Sequence, residues 1–440
     1  MLYSEKLADF IVNTSYEDIP ADVKTRAKEL MLDTIGVALA GCKNDAILKA
    51  IKAFKSENGN TSIWGSDFKA TPLDAAMINA MSSHVLDFDD TLTEAILHAS
   101  AILTPLCLSY GFSKTNDGKK ILKAFIMGWE VAGRVGVASN GTFHKNGFHT
   151  SAIAGVFGAS AAACVINDLN VSQTINALGF AASFAGGINE FLSNGSNSKI
   201  LHIASAVLNG IRACDYAKAG LFGPVSIFEG RDNIFRAFGI ESECDKTRLD
   251  KNLGKDYMVK EVSIKPYPSC HFAHGLVDCA KELRNDGIKP DDIKEILCYV
   301  DAVPITFICD PIEKKHNPKT DYEAKFSFAY LISYMFIDGK INLSSYDDLK
   351  RSEIVNFAKK IKYEKYVSVG FPKYFCGKLK ATLNDGSTII KEVKINKGNP
   401  DNALSLDELL EKFNANINNK HLSEKIKKQV LNLENIKSFE

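Results

Sequence analysis

The sequence predicts a mainly α protein, with a large all-helical domain and a smaller α+β domain. Three observations carry that prediction. Apolar residues recur at helical spacing through residues 1–256, in segments rich in Ala, Gly and Ser. The texture changes from residue 257, where β-branched runs and an Asp-Gly dipeptide appear. After residue 398 the helical pattern returns. The expected organisation is therefore 1–256 as the helical domain, 257–398 as the α+β domain, and 399–440 as C-terminal helices packing back on the first.

Each element has a local reason. In PADVKTRAKELMLDTIGVALAG (20–41), Val23, Ala27, Leu30, Met31, Ile35 and Ala38 share one helical face. Pro20 suits the first turn and Gly41 the stop. TPLDAAMINAMSSHVLDF (71–88) opens with Thr71, Pro72 and Asp74, a capping-box-like start. Further helices are expected at 118–138, 151–167, 172–184 and 199–218, and their small residues let backbones approach closely in a buried bundle. The stretch SAIAGVFGASAAACVI (151–166) is too short to span a bilayer, which needs about 20 strongly apolar residues. In the second part, YMVKEVSIKPYP (257–268) reads as a strand leading into a turn, and IKEILCYVDAV (293–303) as another strand. EAKFSFAYLISYMFIDG (323–339) reads as an amphipathic helix ended by Gly. GKLKATLNDGSTIIKEVKI (377–395) reads as a hairpin, where Asp-Gly favours a tight primed turn. Residues 405–417 and 422–437 return to helix. A cleft between two such domains is the default place for a site.

Composition narrows the function. Lys+Arg and Asp+Glu stand at 53 each, so no net field recruits nucleic acid or anionic lipid. The N-terminal MLYSEKLADF carries charges where a signal peptide needs an apolar run, which predicts a cytoplasmic protein without membrane attachment. The ten cysteines are scattered with no C-x-x-C, which argues against a zinc or iron–sulfur site. The phosphate-loop, dinucleotide-loop and nucleophile-elbow templates are missing. The expectation is a site with no cofactor and no metal.

Four stretches carry the candidate chemistry. HVLDFDDTLTEAILHAS (84–100) crowds titratable groups beside Val85, Leu86 and Phe88. His84, Asp87 and Thr91 have the spacing of one helical face, and a solvated helix end and an active-site wall both fit. Asp89, Asp90 and Glu94 read as cap or surface charges. HKNGFHTSAIAG (144–155) sets His149 just before a helix, where free N–H groups favour anions. SNGSNSKILHIASA (193–206) places Lys199 at a helix start after a polar loop. IKPYPSCHFAHG (264–275) fixes Lys265 next to two prolines, with His271 and His274 opening the following helix. His271 and His274 lack an obvious carboxylate third ligand at metal spacing. A set of His, Lys and Asp suits proton transfer on a substrate held by its own carboxylates.

Taken in order along the chain, HVLDFDDT with HAS, GFHTSAIAG, SKILHIASA, KPYPSCHFAHG and NPKTDYEAKFSFAY (317–330) resemble the MmgE/PrpD family. That family includes 2-methylcitrate dehydratases, cis-aconitate decarboxylases and iminodisuccinate epimerases. The resemblance implies a helical domain, an α/β lid, a homodimer, and a cofactor-free site in the cleft. It implies catalytic roles for His98, His149, Asp87, Lys199 and Lys265, and substrate contacts from Thr91, His84 and His271. His98 or His149 would handle the proton, and Lys199 and Lys265 would clamp carboxylates. Asp87 and Thr91 would orient a neighbouring histidine or a substrate hydroxyl. The implied activity is a lyase of dehydratase or decarboxylase type on a small di- or tricarboxylate. An epimerase of an imino diacid and a catalytically silent dimer are the alternatives. The chain departs from the family at His98-Ala99-Ser100, where His-Pro-Ser is usual, and that loosens the expected turn. DFDDT looks closer to the decarboxylase and epimerase branches than to the dehydratases, which tend to read DFND.

Overall fold

The computed structural model of the protein describes residues 1–54 and 59–439. Helix makes up 59% of it and strand 8%, so the mainly α expectation holds. Two compact units form: Met1–Ile264 with Ser405–Glu440, and Lys265–Leu404.

The first unit is built on helices α1 (Ala21–Gly41), α2 (Pro72–His84), α3 (Gly118–Ala138), α4 (Thr150–Ile166), α5 (Val171–Phe184) and α6 (Ser198–Lys218). Thr71 caps α2 by accepting from the Asp74 amide at 3.2 Å. A two-residue ladder, β1 (Thr61–Ser62) with β2 (Lys69–Ala70), lies just ahead of α2. α4 is apolar all round and almost wholly buried, and it packs between α3 and α6. Small residues make that packing close. A Cβ on Gly158 would stand 2.6 Å from the Gly128 carbonyl oxygen, so α3 and α4 cross almost backbone to backbone. Among the described residues no helix is long and apolar enough to cross a membrane.

In the second unit, β3 (Ile293–Val300), β4 (Ile361–Lys365), β5 (Gly377–Leu383) and β6 (Thr388–Val393) form one sheet in the order β4-β3-β5-β6. β3 is parallel to β4 and antiparallel to β5. Helix α7 (His274–Asn285) packs on β5 and β6. At that contact a Cβ on Gly275 would meet the Phe375 carbonyl oxygen at 2.4 Å.

Three local expectations change. Residues 257–268 form no strand: Met258–Glu261 is a 3₁₀ turn, and Ser263 makes a single bridge to Thr91. The expected helix over 323–339 is two, Asp321–Lys325 and α8 (Phe328–Asp338), because the Ser327 side chain accepts from the Tyr330 amide and starts a new helix. The hairpin joins β5 to β6, but its turn is not primed. Only Gly386 has positive φ (+88°), and Gly386 N–H donates to the Leu383 carbonyl at 3.0 Å. A primed turn would need Asp385 there as well. The chain then returns to the first unit as α9 (Leu406–Ile417), capped by Ser405 with Glu408, and α10 (Lys420–Leu431).

Candidate functional site

The helical unit gathers its polar side chains at the C-terminal end of α2. His84 is the last residue of that helix, and Asp87 takes φ +56°, a left-handed conformation that a short Asp tolerates. His84, Asp87 and Thr91 therefore do not share a helical face; the expected spacing argument fails because the helix has already ended. Thr91 exchanges two backbone hydrogen bonds with Ser263, each 2.8 Å. Leu92 and Leu97 bond each other at 2.8 and 3.2 Å, closing a small loop that carries Ile96 at φ +52°. That closure brings the Thr91 hydroxyl within 3.4 Å of His98 Nδ1.

His98 Nδ1 lies 2.7 Å from the Asp90 backbone carbonyl. A carbonyl only accepts, so Nδ1 carries a hydrogen, and Nε2 is the ring nitrogen left to face other groups. The His98 amide donates to Ser151 Oγ at 3.0 Å, in the first turn of α4. His84 Nδ1 donates to Asp89 Oδ2 at 2.7 Å, and the same oxygen lies 3.7 Å from His98 Nδ1. Asp89 and Asp90 are fully buried, which overturns their reading as cap or surface charges. The loop that carries them is bonded to α9, where Lys412 donates to the Phe88 carbonyl at 3.0 Å. Glu94 keeps the bland reading: it is half-exposed and pairs with Arg248 at 2.6 and 2.8 Å. Burial drives the Asp90 carboxyl well above the usual range, reinforced by Asp33 and Asp89 and opposed by the Ser100 hydroxyl. The donor atoms of His84, Asp89 and His98 lie within 4.8 Å of one another. The His84–Asp89 contact has hydrogen-bond length, and His98 Nδ1 has turned its hydrogen to a carbonyl, so the trio fits a frame holding two imidazoles.

Across from this loop stands His149, the residue ahead of α4, with its amide donating to the Gly187 carbonyl at 2.9 Å. Its ring stacks on His84 at 5.7 Å and lies 6.5 Å from His98. Lys199, in the first turn of α6, donates to Asp87 Oδ2 at 2.8 Å, with the two residues only 9% and 5% exposed. The fold thus assembles His84, Asp87, Thr91, His98, His149 and Lys199 within the helical unit. Lys265 and His271 belong to the other unit. Lys265 is 1% exposed at its start, and His271 Nε2 lies 3.1 Å from Asn396 Nδ2, with its ring edge-on to Phe375 at 5.1 Å.

Five residues around this site were not singled out from sequence: Asp89, Asp90, His144, His202 and Lys412. His202 had a usable signal, since it follows Lys199 by three residues on a helix and so shares its face. Its Nδ1 lies 3.3 Å from His149 Nδ1. Burial, with Lys199 nearby, pushes His144 down to about 4; burial, His84 and Lys199 push His202 down to about 4. Burial holds His149 well below its ordinary value as well. Such groups refuse protons that the unfolded chain accepts. Their stability contribution is complete above about pH 6.5 and is lost as pH falls toward 4. We expect His144→Gln to flatten that loss by up to about 1.4 kcal/mol per pH unit, read from urea unfolding at pH 7, 6 and 5.

Ala99 occupies the turn where proline is usual. Its φ of −76° falls inside proline's range, so the backbone already has the proline shape. Ala99→Pro is expected to raise stability by about 0.4–1 kcal/mol without lowering turnover, as measured by thermal unfolding and initial rates.

The comparisons with known proteins bear on the whole chain. The MmgE/PrpD N-terminal domain matches residues 5–246 and the MmgE/PrpD C-terminal domain matches residues 267–435. The cis-aconitate decarboxylase of Homo sapiens is 28% identical over 435 residues, covering 93% of this chain and 87% of that protein. The Mus musculus enzyme of the same name is 26% identical over 426 residues, covering 94% and 86%. The Aspergillus terreus cis-aconitate decarboxylase is 25% identical over 420 residues, covering 89% and 84%.

Proposed function

This chain belongs to the MmgE/PrpD family, and on that premise we propose that it is a cofactor-independent lyase decarboxylating cis-aconitate or a close tricarboxylate analogue. The observation that carries the reading is the pairing of one buried cation with neutral imidazoles. Lys199, aimed by Asp87 at 2.8 Å, offers a charge for a substrate carboxylate in a place shielded from water. Burial keeps His149 neutral, so its ring can give up and regain a proton, and His98, with Nδ1 turned to the Asp90 carbonyl, could trade one only through Nε2. In decarboxylation the C–C bond to one carboxylate breaks and carbon dioxide leaves. The electron pair stays on the carbon skeleton, conjugated with the remaining carboxylates, until one proton is delivered to carbon. In this reading Lys199 and Lys265 hold the carboxylates, and Thr91, His84 and His271 line the bound acid. The relatives over nearly the full length support decarboxylation over dehydration.

The partners in the reading are a small polycarboxylate and a second copy of the chain, with neither nucleic acid nor membrane. Equal acidic and basic counts support the absence of a nucleic-acid field. The test incubates metal-stripped protein with cis-aconitate, 2-methylcitrate, citrate and iminodisuccinate in deuterated buffer. We expect carbon dioxide from cis-aconitate with one deuteron fixed per turnover. Alkene formation from a citrate would move the assignment to a dehydratase, and deuterium exchange without either change to an epimerase. A strict requirement for added metal would contradict the mechanism, and no reaction with any of the four acids would leave a silent family member.

A further inference from the structure

We propose that His202 is the proton-relay residue of this site, passing protons between solvent and the His149 ring. The inference rests on the reading of His149 as a proton-carrying group and goes beyond it. The Nδ1 atoms of the two rings lie 3.3 Å apart, with ring centroids at 5.4 Å, so one nitrogen donates directly to the other. His149 is 3% exposed, whereas His202 is half-exposed. A proton on the buried ring therefore has a bonded neighbour that reaches water.

The contact is held on several sides. Gly187 accepts the His149 amide at 2.9 Å, and a Cβ at that position would lie 3.0 Å from the His202 ring. Phe191 sits edge-on to both rings, at 5.7 Å from His149 and 6.0 Å from His202. Lys199 comes from the same face of α6 as His202, so one helix would supply both the carboxylate clamp and the relay. Burial keeps each ring neutral at neutral pH, with one hydrogen and one lone pair apiece. A relay needs that state.

The proton balance is complete. As the broken C–C bond leaves its electron pair on the skeleton, His149 gives its Nε2 hydrogen to carbon. His202 passes its Nδ1 hydrogen to His149 Nδ1, and water protonates His202 Nε2. One solvent proton is consumed per carbon dioxide released. Between turnovers the shift runs backward, with water at the emptied site protonating His149 Nε2 and His202 returning its Nε2 hydrogen to solvent.

His202→Asn and His202→Phe separate relay from packing. An asparagine amide can bond His149 near the former Nδ1 position but cannot carry a proton through. In dilute buffer we expect both variants to lose kcat about tenfold or more, with KM changed less than about twofold. Adding free imidazole should restore most of the loss, while wild type should be indifferent to buffer concentration. A loss that imidazole leaves unrepaired would mean that His202 only packs, and wild-type rates in dilute buffer would equally overturn the relay. Either result leaves the lyase assignment standing if wild type releases carbon dioxide from cis-aconitate. A readout without substrate decides the relay should that assignment fail: nitrogen-15 spectra of the His149 ring. Exchange of its N–H with solvent should slow about tenfold in His202→Phe, and unchanged exchange would overturn the proposal.

Discussion

Replacing Lys412 with methionine is expected to destabilise the protein by about 3–5 kcal/mol, because it strands a buried carboxylate. Lys412 projects from α9 and pairs with Asp33 of α1 at 2.6 Å, where both side chains are buried. Burial pushes the Asp33 carboxyl up and the Lys412 ammonium opposes that shift. The same ammonium donates to the Phe88 carbonyl at 3.0 Å and sits 4.0 Å over the Phe88 ring. It thereby ties the C-terminal helix to the loop carrying Asp87 and Thr91. Lys412→Arg should keep much of the stability, since the cation remains. The double change Lys412→Met with Asp33→Leu should recover most of what the single change loses, since no lone charge stays buried. Urea unfolding of the four proteins measures all of this. Near-equal stability of Lys412→Met and wild type would show that the pair contributes little.

His98→Asn should lower kcat on cis-aconitate by about 10²–10⁴-fold. The asparagine amide can still donate to the Asp90 carbonyl in place of Nδ1, so the loop should keep its shape. What disappears is the ring nitrogen Nε2, the one position on His98 able to trade a proton, which nothing in an amide replaces. Steady-state kinetics beside thermal unfolding checks both halves: a large fall in turnover with an almost unchanged melting temperature. A fall in melting temperature that tracks the loss of turnover would instead make His98 a residue of the frame. Retained turnover would leave His149 as the group that moves the proton.

Much of the candidate site lies in the stretches that resemble MmgE/PrpD motifs. His84, Asp87, Thr91, His98, His149 and Lys199 were named from those motifs, and the fold brings all six together in one unit. Helical spacing is not what groups three of them. Helical spacing predicted that His84, Asp87 and Thr91 align, whereas the left-handed Asp87 and the Leu92–Leu97 closure actually bring Thr91 to His98. Two adjacent aspartates after a helix usually face solvent, so the local sequence reads Asp89 and Asp90 as surface charges, whereas both are buried. Nothing within a few residues of them reveals the α1 carboxylate and α9 ammonium beneath.

Chain-local signals set the long helices of the first unit, the cap at Thr71, the small residues that let α3 and α4 touch, and the presence of the Asp-Gly hairpin. Periodicity and capping act within one or two turns of chain, so they are legible locally. Only the tertiary structure decided which polar groups lie buried. Lys412 meets the Phe88 carbonyl across 324 positions, and His149 meets His202 across 53. Partners so distant fix a group's burial, tautomer and charge, and those properties decide whether a histidine or an aspartate does chemistry.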